Sequence, residues 1–172
     1  MFKRFLPNRM LKDIYLLTPE YLKAQGIKGM ITDLDNTLIR FDAPDATPEL
    51  SAWFQSFLDA GIQVVVCSNN SEARVSAFAK QVDLPFVSKA RKPLVKGFKR
   101  ASKLMNLPAN EVVVVGDQLM TDVFGGNRGG FHTILVQPLA TTDEWKTYLN
   151  RRMEKVIMGY FKRQELLHWE EE

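Results

Sequence analysis

The chain has 172 residues, with 45% hydrophobic and 25% charged side chains, ten glycines, eight prolines and a formal charge of +3. That is one domain's length, enough to bury a core, and the composition excludes a disordered or repetitive chain, while so small a charge gives no ground for a nucleic-acid partner. The single cysteine, Cys67, excludes a disulfide framework and suits a reducing compartment, and no apolar run approaches the ~20 residues that span a bilayer.

Residues 1–28 carry six basic and two acidic side chains. Phe2, Phe5, Leu6, Met10, Leu11, Ile14, Leu16 and Leu17 interleave with Lys3, Arg4, Arg9 and Lys12. Such a basic amphipathic segment can lie in a bilayer interface; the same stripe also suits packing on the domain or on a partner. Charges and Pro7 inside the apolar part make it a poor signal peptide. The expected location is therefore cytoplasmic, with a peripheral contact at the inner membrane surface. Thr18-Pro19-Glu20 then opens a short helix that stops at Gly26.

Residues 29–140 read as the core. Short apolar runs at 29–34, 62–67, 85–87, 111–116 and 132–136 are continuous, not alternating, as expected of strands covered on both faces. Between them lie helical patterns. Thr47-Pro48-Glu49 opens a helix to about Ala60 with a stop at Gly61, and Ser71-Glu72 opens a second. Pro93 to Met105 and Leu119 to about Arg128 give two more. Residues 141–172 read as a C-terminal helix packed on or extending from the core: Thr142-Asp143-Glu144 caps it, residues 146–163 carry six basic side chains against one acid, and Glu170 to Glu172 partly offset that excess. Alternation of this kind predicts an α/β fold, with about five parallel strands between two helical layers.

The polar residues that close the strands carry the chemistry. The first run ends in Asp33, Asp35, Asn36 and Thr37, the second in Ser68, Asn69 and Asn70, and the fourth in Gly116, Asp117 and then Asp122. Parallel strands bring these groups to one edge of the sheet, where open α/β sheets bind ligands. Asp33 and Asp35, two apart, start out pointing to the same side. Crowded carboxylates repel unless a cation intervenes, and oxygen donors without nearby His or Cys select a hard ion, most simply Mg²⁺. The Ser68 hydroxyl and the amides of Asn69 and Asn70 at a helix start form a phosphate cradle. Lys92 is the candidate cation to complete it.

The set "DLDNT" (33–37), Ser68, Lys92 before a proline and "GDQLMTD" (116–122) resembles the haloacid dehalogenase (HAD) superfamily of phosphatases. The resemblance covers about residues 29–137. It implies a HAD-like Rossmannoid fold, with Asp33 as nucleophile and metal ligand. Asp35 would be general acid and then base, giving the metal its backbone carbonyl. Asp117 would ligate Mg²⁺ directly, with Asp122 in support. Ser68 and Lys92 would hold phosphoryl oxygens, with Asn36, Thr37 and Asn69 as further substrate contacts.

Members of that superfamily often insert a cap domain, but the intervals from Asp35 to Ser68 and from Ser68 to Lys92 are too short for one. The expected site is open and suits a bulky substrate, or is covered by another subunit or the N-terminal segment. The whole chain is similar to the subfamily IIIA, YqeG-like branch, through "DLDNTL", "CSNN", "KARKPLVKGFKRA", "VVVGDQLMTDVFGGNRGG" and "NRRMEK". That branch is related to phosphatidylglycerophosphate phosphatases, so the resemblance implies an anionic phospholipid monoester as substrate. An open site also admits nucleic-acid ends, phosphoproteins or a soluble ester. A non-catalytic adaptor is the alternative outside enzymology.

Overall fold

The computed structural model describes residues 2–140 and 145–171. Six parallel strands form one sheet: β1 (Arg9–Leu11), β2 (Gly29–Thr32), β3 (Gln63–Cys67), β4 (Phe86–Val87), β5 (Val112–Gly116) and β6 (His132–Val136). Their order is β1-β6-β5-β2-β3-β4. The helices are α1 (Pro19–Ala24), α2 (Pro48–Asp59), α3 (Glu72–Gln81), α4 (Val95–Met105), α5 (Phe124–Gly129) and α6 (Trp145–Arg163). No domain is inserted between β2 and β4, so the sheet edge carries no cap.

Capping residues behave as their side chains dictate. The Thr18, Thr47 and Ser71 hydroxyls each accept an N–H from the first turn of α1, α2 and α3, with Pro19 and Pro48 at the first helical position. α2 ends before Gly61, whose φ of 80° lies in the left-handed region where a Cβ is penalised. The expected cap at Thr142-Asp143-Glu144 lies outside the described residues.

Alternate strand residues point to opposite faces. On one face Met30, Val64, Val66, Val113, Val115, Ile134 and Val136 pack against Leu50, Trp53, Phe54 and Phe57 of α2 and Val75 and Phe78 of α3. On the other, Ile31, Val65, Cys67, Val112 and Val114 meet Phe98, Ala101 and Met105 of α4. Met10 and Leu135, register partners on this second face, receive Ile157 and Phe161 of α6. At full burial, each such Val, Leu, Ile, Phe or Met side chain contributes about 1.5–3 kcal/mol.

The sheet has one strand more than the five expected, because β1 falls inside the segment read as amphipathic. β1 is three residues long, too short for a pattern, yet it pairs in parallel with β6. Met10, Leu11, Ile14 and Leu17 are consequently core residues and offer no face to a bilayer. Phe2, Phe5, Leu6 and Leu16 remain partly exposed. The outer edge of β1 is covered by the C-terminal tail. Glu170 N–H donates to the Met10 carbonyl (2.9 Å), the Glu170 carbonyl accepts from Lys12 N–H (3.0 Å), and the Glu170 carboxylate pairs with Arg9. An edge so covered cannot recruit another strand.

Candidate active site

The chain runs outward from β2 through β3 to β4, then crosses back to place β5 on the other side of β2. The carboxyl ends of β2 and β5 therefore flank the crevice where such sheets bind ligands. Asp33 is the first residue beyond β2, with its N–H on the Val115 carbonyl (2.9 Å). The chain then folds tightly, the Leu34 carbonyl accepting from the N–H groups of Thr37 (3.3 Å) and Leu38 (3.0 Å). Asn36 sits at φ 63°, a conformation asparagine tolerates better than most, and its side-chain oxygen accepts from Phe41 N–H (3.2 Å). It braces this turn.

Lys92 comes from the loop after β4, which is stitched to the loop after β3. Ala90 and Lys89 N–H donate to the carbonyls of Ser68 and Asn70, each at 3.0 Å. The Asn69 side chain grips the Lys92 backbone at both ends, accepting from Lys92 N–H (2.6 Å) and donating to its carbonyl (3.1 Å). The Lys92 ammonium is thereby buried and donates to Asp33 Oδ1 (2.7 Å) and Asp122 Oδ1 (2.6 Å).

Asp117 follows β5 directly. Asp122 is delivered by a wide π-helical turn over Leu119–Val123, where the expected helix up to Arg128 begins irregularly. Asp122 Oδ2 accepts from Gln118 N–H (3.2 Å). The turn approaches β5 so closely that a Cβ on Gly116 would lie 2.2 Å from the Asp122 carboxyl carbon. Only glycine admits that approach.

One oxygen each from Asp33, Asp117 and Asp122 lie within 4.8 Å of one another. The Thr37 hydroxyl is 3.2 Å from both Asp33 Oδ2 and Asp117 Oδ1, and its single proton serves one of them at a time. Burial, reinforced by Asp33 and Asp122, raises the Asp117 carboxyl well above the ordinary carboxylate range. Burial likewise pushes Asp122 up to about 6, with Lys92 opposing the shift. Burial would lower the Lys92 ammonium, but Asp122 and Asp33 outweigh it and hold its pKa above the usual value. Three buried carboxylates thus face one ammonium, an excess of negative charge. All-oxygen donors with that excess fit a hard divalent cation such as Mg²⁺.

Asp35 stands apart from this cluster. Its carboxylate accepts from Arg74 (3.0 Å) of α3 and from the Asn70 side chain (2.9 Å). Arg74 carries no sequence signal, because it acts 39 residues from its partner. Ser68 is buried at the end of β3, its oxygen accepting from Asn70 N–H (3.1 Å) and its own proton available to a ligand. Cys67, one residue earlier, has its thiol pushed up to about 12 by burial and is a packing residue.

Beside Asp117 a cavity of about 140 Å³ opens toward α6 and the tail, lined by Gln118, Leu135, Arg151, Glu154, Met158 and Trp169 among others. Glu154 accepts from Met120 N–H (3.3 Å), and burial raises its carboxyl. The C-terminal segment thus walls one side of the site.

Residues 89–158, which include Lys92, Asp117 and Asp122, match the HAD-hydrolase-like family model. The chain is 50% identical over 169 residues to "Probable phosphatase YqeG" of Bacillus subtilis (strain 168), covering 98% of each protein. It is 31% identical over 160 residues to "Phosphatidylglycerophosphate phosphatase 1, chloroplastic" of Chlamydomonas reinhardtii, covering 87% of this chain and 60% of that one. The solved structure of a "putative HAD superfamily (subfamily III A) hydrolase" from Legionella pneumophila superposes with a TM-score of 0.50 at 18% identity, covering 87% of this chain and 97% of the other, a likeness of fold.

Proposed function

The chain belongs to the HAD-like hydrolases, and on that premise we propose that it is a Mg²⁺-dependent phosphomonoesterase acting on a lipid substrate, phosphatidylglycerophosphate. The observation that carries the catalytic reading is the buried Lys92 ammonium spanning Asp33 and Asp122 with Asp117 alongside, at the switch point of the sheet. Asp33, Asp117 and the Asp35 backbone carbonyl are the groups proposed to hold the metal, with Asp122 in support. When bound, Mg²⁺ would screen those carboxylates from an anionic substrate and stabilise charge on the phosphoryl oxygens.

Asp33 is the nucleophile in this reading. Lys92 holds one of its oxygens, and Thr37, shared with Asp117, lies 3.2 Å from the other, so the carboxylate is oriented before substrate arrives. Attack of a carboxylate oxygen on phosphorus expels the alcohol and leaves an aspartyl-phosphate, splitting one hard step into two. Two protons of the Lys92 ammonium are committed to Asp33 and Asp122; the third meets no acceptor among the described residues and can serve a phosphoryl oxygen. The Ser68 proton serves another. Asp35 is assigned the role of protonating the leaving oxygen and then deprotonating water, which requires it to release Arg74 and Asn70. Asn36 and Asn69 act through the backbone: one braces the nucleophile turn, the other fixes Lys92.

The lipid reading draws support from the capless edge, which leaves room for a large substrate, and from the name of the algal relative. Among the described residues no helix is long and apolar enough to cross a membrane, so a lipid would be met at the surface. The test has two parts. Asp33→Asn should abolish phosphate release from a chromogenic ester. A panel of phosphatidylglycerophosphate, nucleotide-end, phosphopeptide and sugar phosphates should show the lipid preferred; preference for a soluble ester would remove the lipid assignment.

A further inference from the structure

The two helical layers differ in charge. α4, α5 and the N-terminal turn Lys3–Phe5 contain no acidic residue. Along α4, Lys96, Lys99, Arg100 and Lys103 are exposed at spacings of three, four and seven, one continuous ridge. Arg128 of α5, Lys3 and Arg4 of the turn, and Arg152 of α6 are exposed as well. The one acid of α6, Glu154, turns inward to the Met120 N–H. The opposite layer is mixed: Glu20, Glu49, Asp59 and Glu72 are exposed there beside Lys23 and Lys80.

This cationic layer is contiguous. Gly125 of α5 lies against Phe98 of α4, Phe5 stacks on Phe124 of α5 at 4.5 Å, and Phe2 meets Tyr160 of α6 at 5.3 Å. It also holds exposed apolar surface. Five of the nine large hydrophobic residues exposed among the described residues are here: Leu94, Leu104, Met153, Val156 and Tyr160, with Val156 66% exposed. A shallow apolar cleft of about 380 Å³ runs between Phe2 and Arg152, Met153 and Val156.

We propose that this layer is the face by which the protein docks on a bilayer containing anionic phospholipid. Its cations would meet headgroup phosphates, and Leu94, Leu104, Met153 and Val156 would enter the acyl boundary. Charge complementarity selects an anionic surface, and the exposed aliphatic groups select a bilayer over a nucleic-acid duplex, whose phosphates would leave them in water. The face also adjoins the site. Lys96 follows Lys92 by four residues, and Arg151 and Glu154 of α6 line the cavity beside Asp117. The choice of occupant rests on the lipid-ester reading above, and the test separates the two.

The full chain is sedimented with vesicles of phosphatidylcholine alone, or with roughly one-third phosphatidylglycerol, at low and high salt. The expected result is binding to the anionic vesicles that weakens with salt. Lys96→Gln/Lys99→Gln/Arg100→Gln should weaken it on the order of 100-fold, and Met153→Ser/Val156→Ser on the order of 10-fold. Lys23→Gln/Lys80→Gln, on the opposite layer, should leave it unchanged. All variants should keep wild-type activity on a soluble ester, which shows them folded. Equal vesicle binding by the α4 variant and wild type overturns the proposal, as does equal weakening by the opposite-layer variant, or binding to duplex DNA in place of vesicles. Lipid-phosphate hydrolysis in detergent without vesicle binding removes the face and leaves the substrate assignment standing. Face-dependent vesicle binding without lipid-phosphate hydrolysis supports the face and removes that substrate.

Discussion

Replacing Lys92 with Met tests whether the ammonium is what makes the carboxylate cluster tolerable. The methionine chain nearly matches the lysine stem, so packing changes little while the charge 2.7 Å from Asp33 and 2.6 Å from Asp122 disappears. Breaking a buried ion pair in this way costs about 3–5 kcal/mol, because the remaining carboxylates are left without a counter-charge. Proton uptake softens that cost, and Asp117 and Asp122, both raised by burial, are the acceptors. Urea unfolding at pH 7.5, with and without Mg²⁺, reads the effect. Lys92→Met should be less stable by a few kcal/mol without metal, about the cost of the broken pair. It should regain more stability than wild type when Mg²⁺ is added, because without the ammonium the carboxylates bind the ion more tightly, and each tenfold drop in Kd at a fixed saturating Mg²⁺ concentration adds about 1.4 kcal/mol. Activity should fall by about 10²–10³-fold through lost phosphoryl contact. Unfolding of the metal-free variant within about 1 kcal/mol of wild type, or an equal response of both proteins to Mg²⁺, would refute the reasoning.

The same geometry predicts other outcomes. The Asp122 carboxyl is raised to about 6 and Asp117 is raised too, so the metal-free folded protein holds protons that an unfolded chain releases nearer 4. The metal-free protein should therefore lose stability as pH rises from about 4 through 6. Mg²⁺ affinity, measured by calorimetry, should fall as pH drops below about 6 with proton release on binding. Gly116→Ala puts a methyl against the Asp122 carboxyl carbon. It should cost about 1–3 kcal/mol in unfolding measurements and lower kcat by displacing Asp122 from Lys92. Phe161→Ala should cost about 3–5 kcal/mol in the same assay, since α6 is anchored in the core by this ring and Ile157.

Five strands were readable because each is a short apolar run closed by a polar group, as in "VVVVGD", and a parallel sheet buried on both faces demands that. β1 was not readable: "RML" lies among alternating cations and apolar residues, and only its pairing with β6 and the tail at Glu170 reveals it. At the site, Asp33, Lys92, Asp117 and Asp122 were legible from position alone, since each follows a strand or opens a helix at one sheet edge. The partners of Asp35 were not, because Arg74 projects from a helix face where an arginine is ordinary. Nor could an amide sequence tell that Asn69 would grip the Lys92 backbone, or a Gly-Asp pair that Gly116 would make room for a carboxylate six residues on.

The most direct measurement is a single turnover in oxygen-18 water with enzyme in excess over substrate, followed by mass spectrometry of the Asp33 peptide. Nucleophilic attack by Asp33, with water then cleaving the acyl phosphate at phosphorus, puts label in the released phosphate at this first turnover and leaves none in the Asp33 carboxylate. Repeated with substrate whose phosphoryl oxygens carry the label, and quenched at the intermediate, it should find a labelled phosphoryl group on Asp33. Turnover with no phosphoryl group ever trapped on Asp33, and an Asp33→Asn variant that still turns over, would contradict it.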